Sequence, residues 1–198
     1  MPVEFVASAS GPEQFPRDGR AEVAFVGRSN VGKSSLLNAL ILKGRKRQGG
    51  APDRRQLAFV SSTPGRTQTI NFYLVNGEFY FVDLPGYGFA KAPRSEIARW
   101  RERAESYLTE RPPLRLVVLI VDSRHGPTDL DRQMKEWLFD RKQRFLVAAS
   151  KVDKLNRAQR TAALRSIEEE FFPPVPFSAV TGEGVGPLWD GIRVALEA

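Results

Sequence analysis

Residues 27–34 read GRSNVGKS, and they stand between a short apolar run and an amphipathic segment. The apolar run, residues 21–26, predicts a β-strand, whereas SSLLNALIL at residues 34–42 repeats apolar side chains at helical spacing. The octet matches the GxxxxGK[ST] pattern, in the strand, loop, helix order that a phosphate-binding loop requires. This stretch therefore predicts an α/β fold with an anion site at the first turn of a helix.

The types of residue in this loop indicate separate roles at a nucleotide. Gly27 and Gly32 permit backbone conformations that turn N–H groups toward the β-phosphate. Lys33 supplies positive charge to the β- and γ-phosphates, and the Ser34 hydroxyl is a ligand for Mg²⁺. The predicted nucleotide-binding residues here are Gly27, Arg28, Ser29, Asn30, Val31, Gly32, Lys33, Ser34 and Ser35.

Outward from the loop, the pattern predicts one α/β domain. Residues 69–75 and 78–82 are β-rich and flank Asn76-Gly77, which predicts an antiparallel hairpin. Further strands are predicted at 116–121, 145–149 and 175–177, and helices at 95–109, 128–141, 157–170 and 186–196. We expect a three-layer α/β domain with a six-stranded, mostly parallel sheet and one antiparallel strand. The length of 198 residues fits a single domain over residues 21–198, preceded by an N-terminal extension at 1–20.

Two further segments have predicted roles at the nucleotide. One would complete the magnesium and phosphate site, and the other would determine which base is bound. Asp83-Leu84-Pro85-Gly86 follows a predicted strand, which would place Asp83 beside the metal and the Gly86 N–H near the γ-phosphate. Ser150-Lys151-Val152-Asp153 closes another strand. A carboxylate at Asp153 can accept from guanine N1–H and N2–H, and adenine offers neither donor. The sequence therefore predicts GTP and GDP as ligands rather than ATP.

Other residues around the base have weaker signals. The aliphatic stem of Lys151 would lie along the purine, and Ser150 supplies a hydroxyl. Ser178-Ala179, after the last predicted strand, would bring the Ala179 N–H to guanine O6.

The composition restricts the partners and excludes several kinds of site. With 30 Lys and Arg against 23 Asp and Glu, the net charge of +7 suits a polyanionic partner. The sequence has no cysteine and one histidine, His125, which excludes disulfides and thiolate or histidine-rich metal sites. No apolar run reaches the length of a membrane span, and the N-terminus lacks a signal-peptide pattern, so we expect a cytoplasmic protein without a membrane partner.

A basic stretch lies within a predicted long mobile loop at residues 42–66. Its members are Lys43, Arg45, Lys46, Arg47, Arg54 and Arg55. They are either a contact for a polyanion or a solvated surface.

Several segments together resemble one protein family. GRSNVGKSSLLNAL, SSTPGRTQTINFY, VDLPGYGFAK, VDSRHGPTDLDRQM and FSAVTGEG resemble the EngB-type bacterial ribosome-biogenesis GTPases, over about residues 5 to 196. The resemblance implies a Ras-like P-loop NTPase domain that binds GTP and GDP with Mg²⁺. It also implies association with the large ribosomal subunit or its precursor and a part in septation, and we expect a monomer. The sequence departs at Ser150, where such proteins more usually carry Thr, and this bears on nucleotide affinity.

The sequence also predicts residues that take part in hydrolysis. Tyr87 stands where many GTPases carry the glutamine that orients water, so hydrolysis should be slow and depend on another group, ion or partner. Asn30 resembles the asparagine that coordinates K⁺ in related GTPases; the alternative is a turn residue. We prefer Thr67 to Thr63 as the magnesium-sensing threonine. The predicted catalytic residues are Lys33, Thr67, Gly86 and Asn30, and the predicted metal ligands are Ser34, Thr67 and Asp83.

The loop arginines, the hairpin aromatics and the function of the chain each have more than one interpretation from sequence. Arg66, Arg94 and Arg124 lie in loops and either approach the phosphates or are surface charges. The hairpin aromatics, Phe72, Tyr73, Phe79, Tyr80 and Phe81, either pack in the core, which we favour, or face RNA bases. The chain could also be a ribosome- or RNA-anchoring module in which hydrolysis is incidental, or an ATP-dependent kinase, against which Asp153 argues.

Overall fold

A computed structural model describes residues 2–46, 69–87, 104–109 and 111–198. These residues form one seven-stranded sheet of order β1-β3-β4-β2-β5-β6-β7, with helices on both faces. The strands are β1 (Val3–Ala9), β2 (Glu22–Gly27), β3 (Ile70–Val75), β4 (Phe79–Asp83), β5 (Leu114–Asp122), β6 (Phe145–Ser150) and β7 (Val175–Pro176). The helices are α1 (Lys33–Lys46), α2 (104–109), α3 (Asp129–Asp140), α4 (Arg157–Glu170) and α5 (Val185–Glu197).

The sheet has one strand more than the sequence predicted. β4, β2, β5, β6 and β7 are parallel, and β3 is antiparallel to β4, as the hairpin pattern predicted. The additional strand is β1, which lies in the N-terminal extension and pairs antiparallel with β3. β1 therefore runs in the same direction as the parallel strands, and β3 is the single antiparallel strand of the described sheet. Apolar and polar residues alternate only weakly along VEFVASA, because β1 is an edge strand with mostly exposed side chains. The sequence pattern therefore did not predict this strand.

Each face of the sheet carries part of the core. On one face, Phe25 and Phe81 pack with Leu40 of α1 and Trp189 of α5. On the other face, Val82 and Leu119 pack with Tyr107 of α2 and Leu138 of α3. The three-layer α/β prediction is therefore confirmed.

The hairpin aromatics are core residues. Phe72, Tyr73, Phe79, Tyr80 and Phe81 are at most 7% exposed. Phe15 of the N-terminal extension joins them, with its ring centroid 5.5 Å from that of Phe72. These rings are therefore not presented to a partner, and the core reading is confirmed.

Most predicted bounds differ from the observed ones by two residues or fewer, and the main correction concerns α1. The helix continues to Lys46, so residues 42–46 are helical rather than part of a loop. Strong helix formers such as Leu42 and Lys43 extend the helix into the basic stretch. Residues 47–68 lie outside the described part of the chain, as do residues 95–103 of the helix predicted at 95–109, of which 104–109 are helical. Within the described residues, no helix is both long and apolar enough to cross a membrane.

The carboxyl ends of the central strands meet at one edge of the sheet. Phe25 of β2 is in register with Asp83 of β4, and Asp122 of β5 with Ser150 of β6. Ligands of open α/β sheets bind outside the carboxyl ends of the strands. The residues predicted to bind nucleotide therefore lie on the edge where a ligand is expected.

A buried carboxylate closes the opposite end of β2. Glu22 is 0% exposed, accepts from the Tyr107 hydroxyl at 2.7 Å and pairs with the Arg111 guanidinium. Arg111 also donates to the Pro16 carbonyl at 2.6 Å. This ion pair therefore connects α2, β2 and the N-terminal extension far from the nucleotide edge.

Candidate nucleotide-binding site

The loop between β2 and α1 has the backbone conformation that its glycines predict. Gly32 has a φ of +103° and Asn30 a φ of +63°, both in the left-handed region. Asparagine is one of the few residues with a side chain that visits this region readily. A Cβ at Gly27 would lie only 2.9 Å from the Ile120 carbonyl oxygen, so the close approach of β2 and β5 requires glycine there.

Lys33 and Asp83 form an ion pair between the phosphate loop and the end of β4. The Lys33 Nζ donates to Oδ1 of Asp83, and the two side chains are 11% and 8% exposed. The structure thus brings together two residues predicted for phosphate and metal binding from segments fifty positions apart.

The protein ligands present fit magnesium. Among the described residues there is no group of three or more His, Cys, Asp or Glu side chains that could hold a metal by themselves. Of the predicted ligands, the structure describes Ser34 in the first turn of α1 and Asp83 at the end of β4, which offer a hydroxyl and a carboxylate oxygen. Mg²⁺ is usually bound by one or two such oxygens together with waters and substrate phosphates. Thr67, the third predicted ligand, and the alternative Thr63 lie outside the described residues, as do Arg66 and Arg94.

The segment after β4 lies against the phosphate loop. The Ser29 N–H donates to the Tyr87 carbonyl at 2.8 Å, and the Tyr87 N–H donates to the Gly27 carbonyl at 3.2 Å. A Cβ at Gly86 would lie 3.1 Å from the Ser29 nitrogen. Gly86 is therefore placed beside the loop, as predicted, and only a residue without a side chain fits this contact without a shift.

The side chain of Tyr87 points away from the loop. The residue is 4% exposed, and its ring packs in the same cluster as Leu138 of α3. Its hydroxyl donates to Oδ1 of Asp131 at 2.7 Å, and the other oxygen of Asp131 accepts from the N–H and hydroxyl of Thr128. Burial, followed by the charge of Asp131, raises the pKa of Tyr87 well above its ordinary value. Tyr87 is thus a neutral anchor on the capping box of α3.

The segment after β6 is tied to the phosphate loop by two side chains. The Ser150 hydroxyl, which is 1% exposed, lies 2.7 Å from the carbonyl oxygen of Val31. Lys151 has a φ of +62°, and its Nζ donates to the Asn30 carbonyl at 2.6 Å. The predicted base-reading segment and the predicted phosphate-binding segment are therefore joined directly.

Asp153 is held by a serine from the far end of the chain. A hydrogen bond from the Ser178 hydroxyl outweighs the effect of burial and, with the charge of Lys154, lowers the pKa of Asp153. The Ser178 oxygen also accepts from the N–H groups of Val180 and Thr181, each at 3.2 Å. Asp153 is thus an ionised acceptor next to Ser178-Ala179, and the structure brings both predicted base-reading segments together.

Asp122 is a site residue that sequence reasoning missed. Its carboxylate is 4% exposed and accepts from Lys151 Nζ at 2.8 Å and from Arg124 Nε at 3.0 Å and Nη2 at 2.8 Å. Burial alone would raise the pKa of Asp122, but the hydrogen bonds from Arg124 and Lys151 outweigh burial and hold it well below the usual range. The available signal was an acidic residue at the carboxyl end of a strand, as at Asp83.

Arg124 is fixed by this contact. It was one of three arginines considered for a phosphate contact, and its guanidinium forms a two-point pair with Asp122. His125, next to it, contributes its backbone N–H to the Asp122 carbonyl at 3.2 Å.

Comparisons with known proteins agree with this geometry. Residues 22–151 match a family described as 50S ribosome-binding GTPase. The chain is 46% identical over 198 residues to the probable GTP-binding protein EngB of Solibacter usitatus, covering 100% of this chain and 98% of that protein. It is 50% identical over 186 residues to the probable GTP-binding protein EngB of Pelotomaculum thermopropionicum, covering 91% and 88% of the two chains.

Solved structures share the Ras-like fold. A crystal structure of a probable GTP-binding protein engB has a TM-score of 0.69 at 22% identity, covering 89% of this chain and 99% of that one. Era in complex with MgGDPNP and part of 16S ribosomal RNA has a TM-score of 0.63 at 22% identity, covering 87% and 55%. From the matches over its full length, this chain belongs to the EngB family of GTP-binding proteins, within the ribosome-binding GTPases.

Proposed function

We propose that this protein binds GTP and GDP with Mg²⁺, hydrolyses GTP slowly, and acts as a nucleotide-dependent switch in assembly of the large ribosomal subunit. One observation carries the proposal: Ser150 and Lys151 connect the base-reading segment to the phosphate loop at 2.7 and 2.6 Å. A ligand that contacts both segments must present a guanine-like donor edge and a phosphate chain together. Guanine nucleotides have both.

At the phosphates, the proposed roles follow from charge and backbone direction. Lys33 exchanges its ion pair with Asp83 for the phosphate oxygens, while Ser34 and Asp83 hold the metal side of the site. The positive end of α1 and the N–H groups of the loop stabilise the anion. Magnesium, when bound, neutralises charge between the β- and γ-phosphates. Gly86 lies where its N–H can respond to the γ-phosphate.

At the base, Asp153 accepts two hydrogen bonds and Lys151 covers one face of the ring. Because Asp122 and the Asn30 carbonyl fix the Lys151 ammonium at 2.8 and 2.6 Å, its aliphatic stem is restricted to one position. Ser178 keeps Asp153 ionised, and Ala179 follows with its N–H for guanine O6. A ring without the N1–H and N2–H donors would leave the Asp153 carboxylate unpaired, which costs affinity.

We expect slow hydrolysis because Tyr87, the residue after Gly86, replaces the glutamine that orients water in many GTPases. The Tyr87 hydroxyl is bonded to Asp131 at 2.7 Å, so this side chain does not orient a water at the γ-phosphate. Asn30 is exposed at the turn of the loop, and we propose that its side chain holds K⁺, which would supply part of the missing charge. Thr67 is proposed as the residue that senses magnesium.

The proposed partner is the large ribosomal subunit or its precursor. Support comes from the net charge of +7 and from the description of the matched family as 50S ribosome-binding. The basic stretch begins on α1 at Lys43 and continues into the sequence between α1 and β3, which also contains the proposed sensor Thr67, so nucleotide state and rRNA affinity can be coupled. Septation would then depend on this protein through ribosome supply.

Co-sedimentation with large-subunit particles tests the switch. We expect about tenfold tighter binding with a non-hydrolysable GTP analogue than with GDP, which requires only about 1.4 kcal/mol. Changing Arg45, Lys46, Arg47, Arg54 and Arg55 to Glu should weaken binding and flatten its salt dependence. Binding that ignores both nucleotide and charge reversal would refute the coupling.

The second candidate is a ribosome-anchoring module in which hydrolysis is incidental. This candidate differs from the switch in one measurable respect, because large-subunit particles would not change the rate of GTP turnover. Turnover measured with and without large-subunit particles, at matched K⁺, separates the two functions.

A further inference from the structure

An open cavity of about 570 Å³ lies at the end of the sheet opposite the nucleotide edge. It is lined by the aromatic residues Phe139, Phe145 and Phe172 and by Lys142, Arg144 and Gln143, with Asp140 beside them. Here these residues are called the aromatic-basic patch. None of them has a role in the nucleotide site.

Two of the three rings of this patch are unusually exposed for their size. Phe139 is 67% exposed and Phe172 is 52% exposed, whereas the hairpin aromatics are buried. The centroids of Phe145 and Phe172 are 5.5 Å apart with an angle of 56° between the rings. Phe139 therefore stands as a free aromatic surface beside a supported aromatic pair. Clustered exposed apolar side chains mark binding sites more often than single ones do.

Basic groups surround the rings. Lys142 and Arg144 are exposed, and among the described residues neither forms an ion pair. Arg141 adds a third cation, with its guanidinium 4.5 Å from the ring centroid of Trp137. Asp140 is the acidic residue lining the cavity, so residues 139–145 carry three cations and one anion.

The turn that presents these groups is fixed by backbone hydrogen bonds. The Lys142 N–H donates to the Phe139 carbonyl at 2.9 Å, and the Gln143 N–H donates to the Leu138 carbonyl at 3.0 Å. Lys142 has a φ of +54°, which closes the turn directly after α3. A site held in this way loses little conformational freedom when it binds a partner.

We propose that the aromatic-basic patch binds an unpaired RNA base together with its flanking phosphates. An exposed aromatic ring stacks on any base, and Lys and Arg at its rim neutralise the phosphates on either side; this combination is typical of single-stranded nucleic-acid sites. The inference rests on the proposed ribosomal partner and deepens it, because it names an rRNA loop or bulge as the feature contacted.

The position of the patch separates it from the switch. Phe145 begins β6 and Ser150 ends it, so about 17 Å of strand lies between the patch and the nucleotide edge. The affinity of the patch for RNA should therefore be the same in the GDP-bound and GTP-bound protein. Only the contact made by the basic stretch would depend on the nucleotide.

Fluorescence anisotropy with the full chain in GDP tests the proposal. The probes are a labelled single-stranded RNA of about ten nucleotides, within the usual site sizes, and a duplex RNA of the same composition. We expect preference for the single strand, and roughly tenfold weaker binding for Phe139→Ala, because stacking of one base is lost. Lys142→Glu with Arg144→Glu should reduce the salt slope by about 1.4.

Matched control variants lie elsewhere on the surface. Val194→Ala removes an apolar side chain that is 69% exposed on α5, and Arg17→Glu with Arg157→Glu makes the same change in charge on exposed positions. Neither control should alter RNA affinity beyond the general effect of net charge. GDP affinity and circular dichroism of every variant show that the fold is intact.

The results of these RNA-binding measurements can be distinguished from a failure of the proposed nucleotide-dependent switch. No RNA binding by the unchanged chain, equal binding of duplex and single strand, or equal losses in patch and control variants would each overturn the proposal. Loss of particle binding by Phe139→Ala with naked RNA binding unchanged would also overturn it and assign the patch to a ribosomal protein. Failure of the nucleotide-dependent switch would leave these measurements in GDP unaffected.

Discussion

The Tyr87 hydroxyl and Asp131 Oδ1 lie 2.7 Å apart, in a buried hydrogen bond between the segment after β4 and the first turn of α3. Asp131 is 1% exposed and has Thr128 as its other partner. The bond fixes the direction of the side chain that follows Gly86. An anchored tyrosine at this position stabilises the loop and leaves the chemistry to other groups.

Tyr87→Phe should lower the free energy of unfolding by about 1–3 kcal/mol, because buried Asp131 loses a donor. The rate of GTP hydrolysis should not change. Urea unfolding and single-turnover hydrolysis measure the two effects. Tyr107→Phe is the matched control, since it removes a similar buried bond, to Glu22, far from the nucleotide edge. Slower or faster hydrolysis in Tyr87→Phe alone would place this hydroxyl in the chemistry.

Asp153→Asn should move nucleotide preference from guanine toward xanthine, because the new amide donates where the carboxylate accepted. Ser178→Ala should weaken GDP binding by about tenfold without changing preference, since it removes a hydrogen bond to a charged group. Competition titrations with GDP, XDP and ADP measure both. Equal affinity of the unaltered protein for GTP and ATP would contradict the assignment of Asp153.

Lys33→Ala should abolish tight nucleotide binding, whereas Ser34→Ala and Asp83→Ala should act mainly through Mg²⁺. Calorimetric titration of GDP with Mg²⁺ and with a chelator separates the effects. The losses for Ser34 and Asp83 should not add in the double variant, because both residues belong to one metal site. Normal GTP turnover by Lys33→Ala would remove the basis for the phosphate-loop assignment.

Potassium should accelerate hydrolysis more than sodium does, and Asn30→Gly should remove the difference. Glycine is the informative replacement because it keeps the φ of +63° without strain while it removes the side chain that would supply the K⁺ ligand. Steady-state turnover in the two salts at equal ionic strength is the measurement. If the wild-type rates are the same in both salts, Asn30 is a turn residue and the missing charge comes from a partner.

Asp122→Asn should destabilise the protein at neutral pH and lose this effect in acid. A carboxyl whose pKa is lower in the folded than in the unfolded protein stabilises the fold above its unfolded pKa, near 3.9, and this contribution is lost as the pH falls through the folded pKa. The difference in unfolding free energy between wild type and variant should therefore shrink below about pH 4. Asp190→Asn, 70% exposed on α5, is the control for the loss of a carboxylate, and at neutral pH it should change the free energy of unfolding far less than Asp122→Asn does.

Sequence patterns point to the residues of the candidate nucleotide site more readily than to the residues that support them. The phosphate loop, Asp83, Gly86 and Asp153 could be predicted because their proposed chemistry requires fixed residues at fixed spacing. Asp122 was missed because its partner Lys151 is 29 positions away and reaches it only through the pairing of β5 with β6. The anchor role of Tyr87 was missed because its partner Asp131, in the first turn of α3, lies 44 positions away.

The fold was predicted where periodicity was strong and missed where it was weak. β5 is a continuous apolar strand covered on both faces, and its pattern can be read directly. β1 is an edge strand, and apolar and polar residues do not alternate along it. Its sequence therefore resembled an N-terminal extension rather than a strand. The end of α1 was extended by helix-forming residues, whereas the basic composition had indicated a loop.

The pairing of β1 with β3 sets an order for folding during translation. Val3 pairs with Val75 and Ala9 with Ile70, so β1 leaves the ribosome before β3, its only neighbour in the described sheet, and waits until β3 has been synthesised. Until then its unpaired backbone is an exposed template for pairing with other chains. Within β1, Glu4 is the charged residue, whereas Phe5 and Val6 are apolar and stay 50% and 42% exposed in the folded protein. The charge of Glu4 therefore opposes pairing of this edge with other chains until β3 is available.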